Sequence, residues 1–388
     1  MTSFSTGISS REIGRTPMSD ASKTAATTSM KGGGYYSQST RGAKDTIDNA
    51  RGMLLDAVAA LPDPVEAEPF RIADFGAADG GTSKQTLHDI VAATRERWPG
   101  RQVQVTYTDL ASNDWSQLFK MVQGLDGSDH TFWSPDSGVF VQGIGIGFHQ
   151  QLVPDATLDL GFSATAMHYV SERPCLIPDH VHHVGASGNE LAAFDRQAEL
   201  DWERILLARA AEMRSGGRLV IISFGKDEQG RYLGNTGGVN MFDTFDQHWR
   251  ALRDEGVISS DEYTAATFAQ VYRTPEQFTA PLVNEASPVY TAGLRLVSAH
   301  TGFTRCPYRE AFDGDGKMSP REFAQSYVPT LRSWSETVFA NALSTERSAE
   351  DRIAIVDAFY QRYEDMVAST PDGHAMDYIH SYLAIEKV

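Results

Sequence analysis

The chain has 388 residues, and its 34 Lys and Arg against 51 Asp and Glu give a formal net charge of −17. With 41% hydrophobic residues it has the composition of a globular protein, long enough for one large domain with an addition or for two domains. The acidic balance argues against a surface for nucleic acid or anionic lipid, because phosphate binding needs clustered Lys and Arg. The 2 cysteines exclude a disulfide scaffold and a Cys-rich metal site.

Several features predict where the protein resides. No apolar run approaches the roughly 20 residues that span a bilayer, and the N-terminus lacks a secretory pattern. With so few cysteines, these features predict a cytoplasmic protein that is not bound to a membrane. Residues 1–29 are rich in Ser and Thr and poor in bulky apolar side chains, so we expect a disordered tail there.

From residue 43 the sequence predicts alternating helices and strands. Apolar residues at three-to-four spacing indicate helices, and short apolar runs bounded by Gly or Pro indicate strands. The predicted strands cover residues 70–75, 102–108, 158–163, 217–224, 293–299 and 378–385. The predicted helices cover residues 43–61, 84–98, 189–214, 320–343 and 347–367. This alternation favours an α/β fold with parallel strands and helices on both faces of the sheet.

We expect the sheet domain to carry a helical cap. From residue 234 the pattern becomes amphipathic and rich in aromatic side chains, which is typical of helices inserted between strands. The predicted sheet domain therefore comprises residues 30–233 and 291–388. The predicted cap comprises residues 234–290, with a contribution from residues 310–345.

A glycine-rich loop from Gly76 to Gly81 follows the first predicted strand. Glycine at such a position lets the backbone approach a ligand at the carboxyl edge of the sheet. The dinucleotide fingerprint G-x-G-x-x-G is not matched, and Asp79 lies inside the loop. A carboxylate there would repel a diphosphate, so the loop favours a ligand without one, such as the cationic S-adenosylmethionine.

Two aspartates stand at the ends of the first two predicted strands. Asp74 belongs to the end of the first strand, and Asp109 directly follows the second. A carboxylate in the second position can bind both ribose hydroxyls of an adenosine. Each aspartate alone could equally be a helix N-cap or a turn residue, but the pair at consecutive strand ends favours a nucleoside site.

Six segments occur in the order of the sequence blocks of one enzyme family. They are MKGGGYYSQST, ADFGAADGG, TDLASNDWSQLF, GIGFHQQLVP, FSATAMHYVSERP and GGRLVI. In these segments the chain resembles the SABATH family of S-adenosylmethionine-dependent carboxyl methyltransferases, which includes the salicylate, benzoate and jasmonate enzymes. The resemblance covers residues 30–388 and is closer to a divergent, bacterial-type member than to a plant enzyme. It implies a Rossmann-like class I methyltransferase fold and a homodimer.

The resemblance also implies roles for individual residues. Those implied to contact the cofactor are Tyr36, Thr40, Asp74, Gly76, Asp109, Leu110, Gly147, Phe148 and Ser163. Those implied to contact the acceptor are His168, Tyr169 and Phe242, and Lys31 is a further candidate donor to its carboxylate. Of these, His168 and Tyr169 would act at the reacting carboxylate by donating hydrogen bonds to it.

Two departures from the family pattern concern the acceptor. A glutamine of the family's N-terminal motif is replaced here by Ala43 or Gly42, and a tryptophan is replaced by Tyr169. Both positions contact the acceptor's carboxylate in the family. The substrates of the plant enzymes therefore do not carry over to this chain.

Methylation of a carboxylic acid needs no general base, because the acid is already ionised at pH 7. The carboxylate oxygen displaces the methyl group from the sulfonium in line, and the protein supplies proximity, alignment and a dry pocket. The expected reaction is formation of the methyl ester of a small or medium apolar acid, either an aromatic acid or a fatty acid. The expected partner is thus a small-molecule carboxylic acid, with no nucleic acid and no membrane.

Other functions remain open from the residues. The methyl group could go to a ring nitrogen of a small heterocycle, or the protein could bind S-adenosylmethionine without catalysis. An NAD(P) oxidoreductase is a further alternative, which the loop from Gly76 to Gly81 disfavours. The histidines His180, His182 and His183 invite a metal interpretation, but neither cysteine lies at ligand spacing, so no metal site is predicted.

Overall fold

The computed structural model describes residues 41–64, 68–127, 131–314 and 316–388. A seven-stranded sheet with the order β3-β2-β1-β4-β5-β7-β6 forms its centre. The strands are β1 (Phe70–Phe75), β2 (Val103–Thr108), β3 (Val139–Ile144), β4 (Leu158–Ala164), β5 (Met213–Phe224), β6 (Leu294–Thr304) and β7 (Tyr378–Lys387). Strands β1 to β5 are parallel, and β7 runs antiparallel to both β5 and β6. The predicted α/β class is confirmed.

Helices cover both faces of the sheet and also form a cap. They are α1 (Arg41–Asn49), α2 (Arg51–Ala60), α3 (Lys84–Arg97), α4 (Trp115–Val122), α5 (Gly188–Glu212), α6 (Met241–Asp254), α7 (Ser260–Ala265), α8 (Pro275–Val283), α9 (Pro288–Thr291), α10 (Pro307–Gly314), α11 (Pro320–Ala342) and α12 (Ala349–Ser369). The helix predicted over 43–61 is two helices, because the chain turns at Ala50. Within the described ranges, none of the helices has the length and apolarity needed to cross a bilayer.

Alternate residues of β1 point into the two layers that cover the sheet. Ile72 packs with α2 and α3, whereas Phe75 packs with Trp202 of α5. This alternation follows from the two-residue period of a strand, and it explains why β1 has apolar residues on both of its faces. Because β1 to β5 are parallel, their carboxyl ends lie together at one edge of the sheet.

The cap has its own hydrophobic core, formed mainly by α6, α7, α11 and α12. Phe245, Trp249, Phe339 and Phe359 lie at its centre. Helices α8 and α9 fall in the segment predicted to be cap, but they pack on the sheet with the layer of α5. Because their apolar side chains face the sheet, we assign these two helices to the sheet domain. The other predicted domain boundaries stay predictions.

Strand β3 is missing from the sequence prediction. It lies at the edge of the described sheet, where it pairs with β2. One of its faces is open, and Phe140 is 56% exposed. Gly143 lies inside the strand, and a Cβ there would overlap the ring of Trp115.

A buried ion pair stands at the end of α5. Arg209 Nε donates to Glu212 Oε2 at 2.6 Å, and neither side chain is exposed. The Arg209 guanidinium also donates to the carbonyls of Phe148 at 3.0 Å and Gln150 at 2.7 Å. Glu212 Oε1 accepts the N–H of Leu152 at 2.5 Å. The pair therefore fixes the backbone of the loop that follows β3.

Replacing Arg209 should destabilise the protein strongly. In Arg209→Met the Glu212 carboxylate stays buried without its partner, and we expect the free energy of unfolding to fall by about 3–5 kcal/mol. Urea denaturation measures this loss. Arg196→Met, at an exposed position of the same helix, should change the value by less than about 0.5 kcal/mol. Equal losses in the two variants would contradict this account of the pair.

Candidate functional site

The glycine-rich loop connects β1 to α3 at the carboxyl edge of the sheet. Gly76 and Gly80 have φ angles of +84° and +74°, and Ala78 between them has φ +49°. A Cβ on Gly76 would overlap the Cβ of Ala166, and one on Gly80 would overlap the methyl group of Met121. The positive φ angles favour glycine at both positions, and at Gly76 the close approach to Ala166 leaves no room for a Cβ.

Asp109 follows β2 and holds this loop in place. Its Oδ2 accepts the N–H of Ala78 at 2.7 Å, and its Oδ1 accepts the N–H of Leu110 at 2.7 Å. Burial raises the pKa of Asp109, and the two backbone donors oppose that rise. Each carboxylate oxygen keeps a second lone pair, so the group can still accept hydrogen bonds from two hydroxyls.

Asp74 is a buried carboxylate in β1, where it lies beside Tyr107 of β2 and Phe162 of β4. Among the described residues, its Oδ2 has no hydrogen-bond partner. Burial raises the pKa of Asp74 to about 7, a hydrogen bond from Ser83 opposes the rise, and the charge of Asp109 adds to it. A buried carboxylate oxygen without a partner fits a cationic ligand, which would supply one.

The other described residues predicted to contact the cofactor lie around these strand ends. A Cβ on Gly147 would lie 3.4 Å from Leu110 Cδ2, and one on Gly76 would lie 3.8 Å from Phe148 Cδ1. Ser163, near the end of β4, donates its hydroxyl to the carbonyl of Phe75 at 2.7 Å. The fold brings these residues together, and their contact with the cofactor stays a prediction.

Three predicted site residues lie outside the described residues: Lys31, Tyr36 and Thr40. The disordered tail predicted for residues 1–29 lies outside them as well. Their roles stay predictions from the sequence.

His168 and Tyr169 directly follow the turn at the end of β4. His168 is buried, and its ring lies 4.5 Å from that of Tyr169, 5.0 Å from Phe224 and 6.1 Å from Tyr272, centroid to centroid. Burial, together with the charge of Arg273, lowers the pKa of His168 to about 3. The imidazole is therefore neutral at pH 7 and carries one N–H donor.

Phe242 belongs to α6 and is completely buried. Its ring stacks on His182 with centroids 3.9 Å apart, and it lies 6.0 Å from Tyr272. Tyr272 thus connects Phe242 to His168 through ring contacts. We call the resulting group the aromatic cluster, and its members are His168, Tyr169, His182, Phe224, Phe242 and Tyr272.

Two buried charged residues, which sequence reasoning missed, hold the segment of His168 and Tyr169. Asp201 of α5 accepts both the N–H of Ser171 at 2.7 Å and its hydroxyl at 2.6 Å. Arg273 donates to the carbonyl of Met167 at 2.9 Å. Helical periodicity could have revealed Asp201, because it falls on the same buried face of α5 as Ala198 and Ile205.

The histidines at 180, 182 and 183 hydrogen-bond to protein groups. His180 Nε2 lies 3.3 Å from an oxygen of Asp243, and His183 Nε2 accepts the N–H of Tyr272 at 2.8 Å. His182 Nδ1 accepts the N–H of Val184 at 3.3 Å. In the part of the chain that the structure describes, no three His, Cys, Asp or Glu side chains are grouped to hold a metal ion.

Comparison with known proteins identifies the family. The sequence profile of the S-adenosylmethionine-dependent carboxyl methyltransferases matches residues 25–387. The chain belongs to this family. The resemblance inferred from the six segments is therefore confirmed, and with it the predicted methyltransferase class and the cofactor S-adenosylmethionine.

Two relatives of known activity and one solved structure have 21–25% sequence identity to this chain. The chain is 25% identical over 271 residues to loganic acid O-methyltransferase of Catharanthus roseus, covering 64% of this chain and 70% of that enzyme. It is 24% identical over 254 residues to gibberellic acid methyltransferase 2 of Arabidopsis thaliana, covering 60% of this chain and 64% of that enzyme. A solved structure of loganic acid methyltransferase with SAH shares the fold, with a TM-score of 0.70, 21% identity, and coverage of 92% of this chain and 98% of that one.

Binding of S-adenosylhomocysteine should depend on the ionisation of Asp74. Because the carboxyl has a pKa of about 7, it must lose its proton to pair with the cationic amino group of the ligand. About a tenth of the carboxyl is ionised at pH 6 and about three quarters at pH 7.5, so we expect affinity to rise about eightfold over that range. Isothermal titration calorimetry measures it.

The matched variants separate this effect from general changes of charge. Asp74→Asn should bind weakly and lose the pH dependence, since an amide does not titrate. Asp155→Asn, at an exposed aspartate, should keep both the affinity and the dependence. An unchanged pH slope in Asp74→Asn would refute the role of Asp74.

Removing the Asp201 carboxylate should impair turnover without impairing cofactor binding. In Asp201→Ala the two donors of Ser171 lose their acceptor, so the segment of His168 and Tyr169 is held less firmly. We expect kcat to fall about tenfold or more, because misplacement of orienting groups slows the reaction. The dissociation constant of S-adenosylhomocysteine should stay within about twofold. Asp195→Ala, on the exposed face of the same helix, should change neither quantity.

Proposed function

We propose that the protein transfers a methyl group to the carboxylate of a small or medium acid with an apolar body, releasing the methyl ester. The observation that carries this proposal is the buried aromatic cluster, whose neutral His168 lies next to Tyr169 just beyond β4. The strand ends that carry Asp74 and Asp109 lie at the same edge of the sheet. The names of the relatives point the same way, because they specify loganic acid, gibberellic acid and indole-3-acetate, all carboxylic acids.

The chain's own residues position the acceptor. Bound S-adenosylmethionine supplies the methyl group on a sulfonium. The acceptor carboxylate is ionised at pH 7, so no residue has to remove a proton from it. In the proposed arrangement the N–H of neutral His168 and the hydroxyl of Tyr169 donate to the carboxylate and orient one oxygen for in-line attack. Phe224 and Tyr272 exclude water from this region.

An aromatic pocket suits this reaction. Negative charge on the carboxylate and positive charge on the sulfonium disappear together as the methyl group moves. A low-dielectric surrounding therefore favours the transition state over the separated charges, and it also keeps hydrolytic water away. A neutral histidine fits this requirement better than a cationic one, because a fixed positive charge would stabilise the carboxylate before reaction.

The remaining predictions belong to the same proposal. Lys31, Tyr36 and Thr40 would complete the site from the N-terminal side, as the family resemblance implies. Phe242 would form part of the acceptor wall through its contact with Tyr272. The cytoplasmic location, the homodimer and the lack of a nucleic-acid partner stay predictions from the sequence.

A panel of acceptors tests the proposed reaction. The purified protein is incubated with methyl-labelled S-adenosylmethionine and with aromatic acids, indole-3-acetate, fatty acids of several lengths and a xanthine-type heterocycle. We expect a methyl ester from at least one acid, identified by mass spectrometry. At saturating cofactor its rate should be constant between pH 6.5 and pH 8.5, because the acid is ionised throughout.

Two variants connect that activity to the site. His168→Phe and Tyr169→Phe each remove a donor to a charged group, and such hydrogen bonds contribute about 1.5–3 kcal/mol. We therefore expect kcat/KM to fall about 10–100-fold in each, with binding of S-adenosylhomocysteine preserved. Methylation of the heterocycle alone would overturn the proposal in favour of an N-methyltransferase. Cofactor binding without any methylated product would indicate a non-catalytic binding protein.

A further inference from the structure

His149 is a site histidine that neither the sequence prediction nor the proposed transfer uses. It follows Phe148 in the loop after β3, and the centroids of the two rings are 4.6 Å apart. Its Nε2 lies 3.2 Å from the carbonyl oxygen of Tyr169. One side chain thus contacts a residue that is predicted to bind the cofactor and a residue that is proposed to bind the acceptor.

The hydrogen bond to Tyr169 determines which nitrogen of His149 is protonated. A carbonyl oxygen only accepts, so Nε2 carries the proton and donates to it. Burial lowers the pKa of His149 to about 4, although the charge of Asp201 and the bond to Tyr169 oppose the change. The ring is therefore neutral at pH 7, and its single N–H holds the Tyr169 carbonyl.

The backbone on both sides of His149 is fixed, so its side chain is the part that a ligand can still order. Arg209, which is completely buried, donates to the carbonyls of the two flanking residues, Phe148 at 3.0 Å and Gln150 at 2.7 Å. The side chain of His149 keeps 13% of its surface exposed. Phe148 is likewise only partly buried, which leaves its ring accessible to a ligand.

We propose that His149 is a positioning residue that couples binding of the cofactor to binding of the acceptor. When the cofactor binds against Phe148, the rings of Phe148 and His149 lose freedom, and the ordered His149 holds Tyr169 in place. The acceptor then binds a segment that is already ordered, so less conformational entropy is lost in that step. By linkage, the acceptor raises the affinity for the cofactor by the same factor.

His149 differs in this respect from the buried charged residues that hold the same segment. Asp201 and Arg273 donate to or accept from its backbone whether or not the cofactor is bound. The ring of His149 also packs on Phe148, so its order depends on what Phe148 contacts. This inference rests on the proposed carboxyl methylation and on the predicted contact of Phe148 with the cofactor.

Isothermal titration calorimetry measures the coupling directly. Indole-3-acetate and the other acids of the acceptor panel are titrated into the protein alone and into the protein saturated with S-adenosylhomocysteine. We expect the affinity for a methylated acid to rise about fivefold or more when S-adenosylhomocysteine is bound. In His149→Phe, which keeps a ring against Phe148 and removes the donor, this rise should shrink to about twofold or less.

Two amide variants separate the hydrogen bond from the ring contact. Glutamine carries its N–H donor at about the position of histidine Nε2, so His149→Gln should recover part of the coupling. Asparagine is one carbon shorter, so the donor of His149→Asn does not reach the Tyr169 carbonyl, and this variant should behave like His149→Phe. Both amides lack the ring, so a difference between them comes from the hydrogen bond.

Controls distinguish positioning from structural damage. In His149→Phe the free protein should bind S-adenosylhomocysteine within about twofold of the unaltered protein, while kcat/KM for the acid falls about two- to tenfold through loss of one hydrogen bond. His88→Phe is the matched control, because His88 of α3 is exposed and its Nδ1 also lies near a carboxylate, 3.3 Å from Asp89. This variant should keep the full coupling.

The outcomes separate this inference from the proposed function. Coupling that is unchanged in His149→Phe, or absent from the unaltered protein, would overturn the inference and leave carboxyl methylation standing. An equal loss of affinity for the acid and for S-adenosylhomocysteine in His149→Phe would also overturn it, because that result indicates a purely structural role. A failure to methylate any acid would overturn the proposed function and this inference with it.

Discussion

The guanidinium of Arg209 connects two segments that are predicted to contact the cofactor. It pairs with Glu212, holds the carbonyls of Phe148 and Gln150, and lies 4.0 Å over the ring of Phe75, the residue that ends β1 and precedes the glycine-rich loop. A fully buried cation is tolerated only while its partners stay in place. Arg209 therefore fixes the distance between the loop after β3 and the end of β1. Both segments carry residues that are predicted to contact the cofactor.

The segment proposed to bind the acceptor follows a related principle. Two buried charged residues hold its backbone, because Asp201 accepts the N–H of Ser171 and Arg273 donates to the carbonyl of Met167. The rings that face one another in the aromatic cluster are uncharged, because burial lowers the pKa of His168 and of His182. The charged groups thus fix the position of the backbone that carries His168 and Tyr169. The uncharged rings provide the low-dielectric surroundings in which the proposed transfer occurs.

Local patterns explain what the sequence could predict. The apolar run of β1, its glycine loop and Asp109 are contiguous features, so their arrangement follows from the parallel topology. Amphipathicity predicted helices inserted after residue 234, but not that Phe278 of α8 turns toward the sheet, because the pattern does not identify the opposing surface. Asp201 escaped notice because its partner Ser171 is 30 residues away in sequence. Edge strand β3, marked by exposed Phe140, lacks the burial that identifies central strands.

The position of β7 affects how the molecule assembles. It lies between β5 and β6, and among the described strands it is the only sheet neighbour of β6, which precedes α10, α11 and α12 in the chain. The ring of Tyr378 lies against Gly42, and the hydroxyl of Tyr382 donates to the carbonyl of Thr46 at 3.3 Å, so α1 also docks on β7. Until β7 pairs with it, β6 cannot complete its backbone hydrogen bonds within the described sheet. Its strand edge therefore stays open to self-association until the C-terminal strand has joined the sheet.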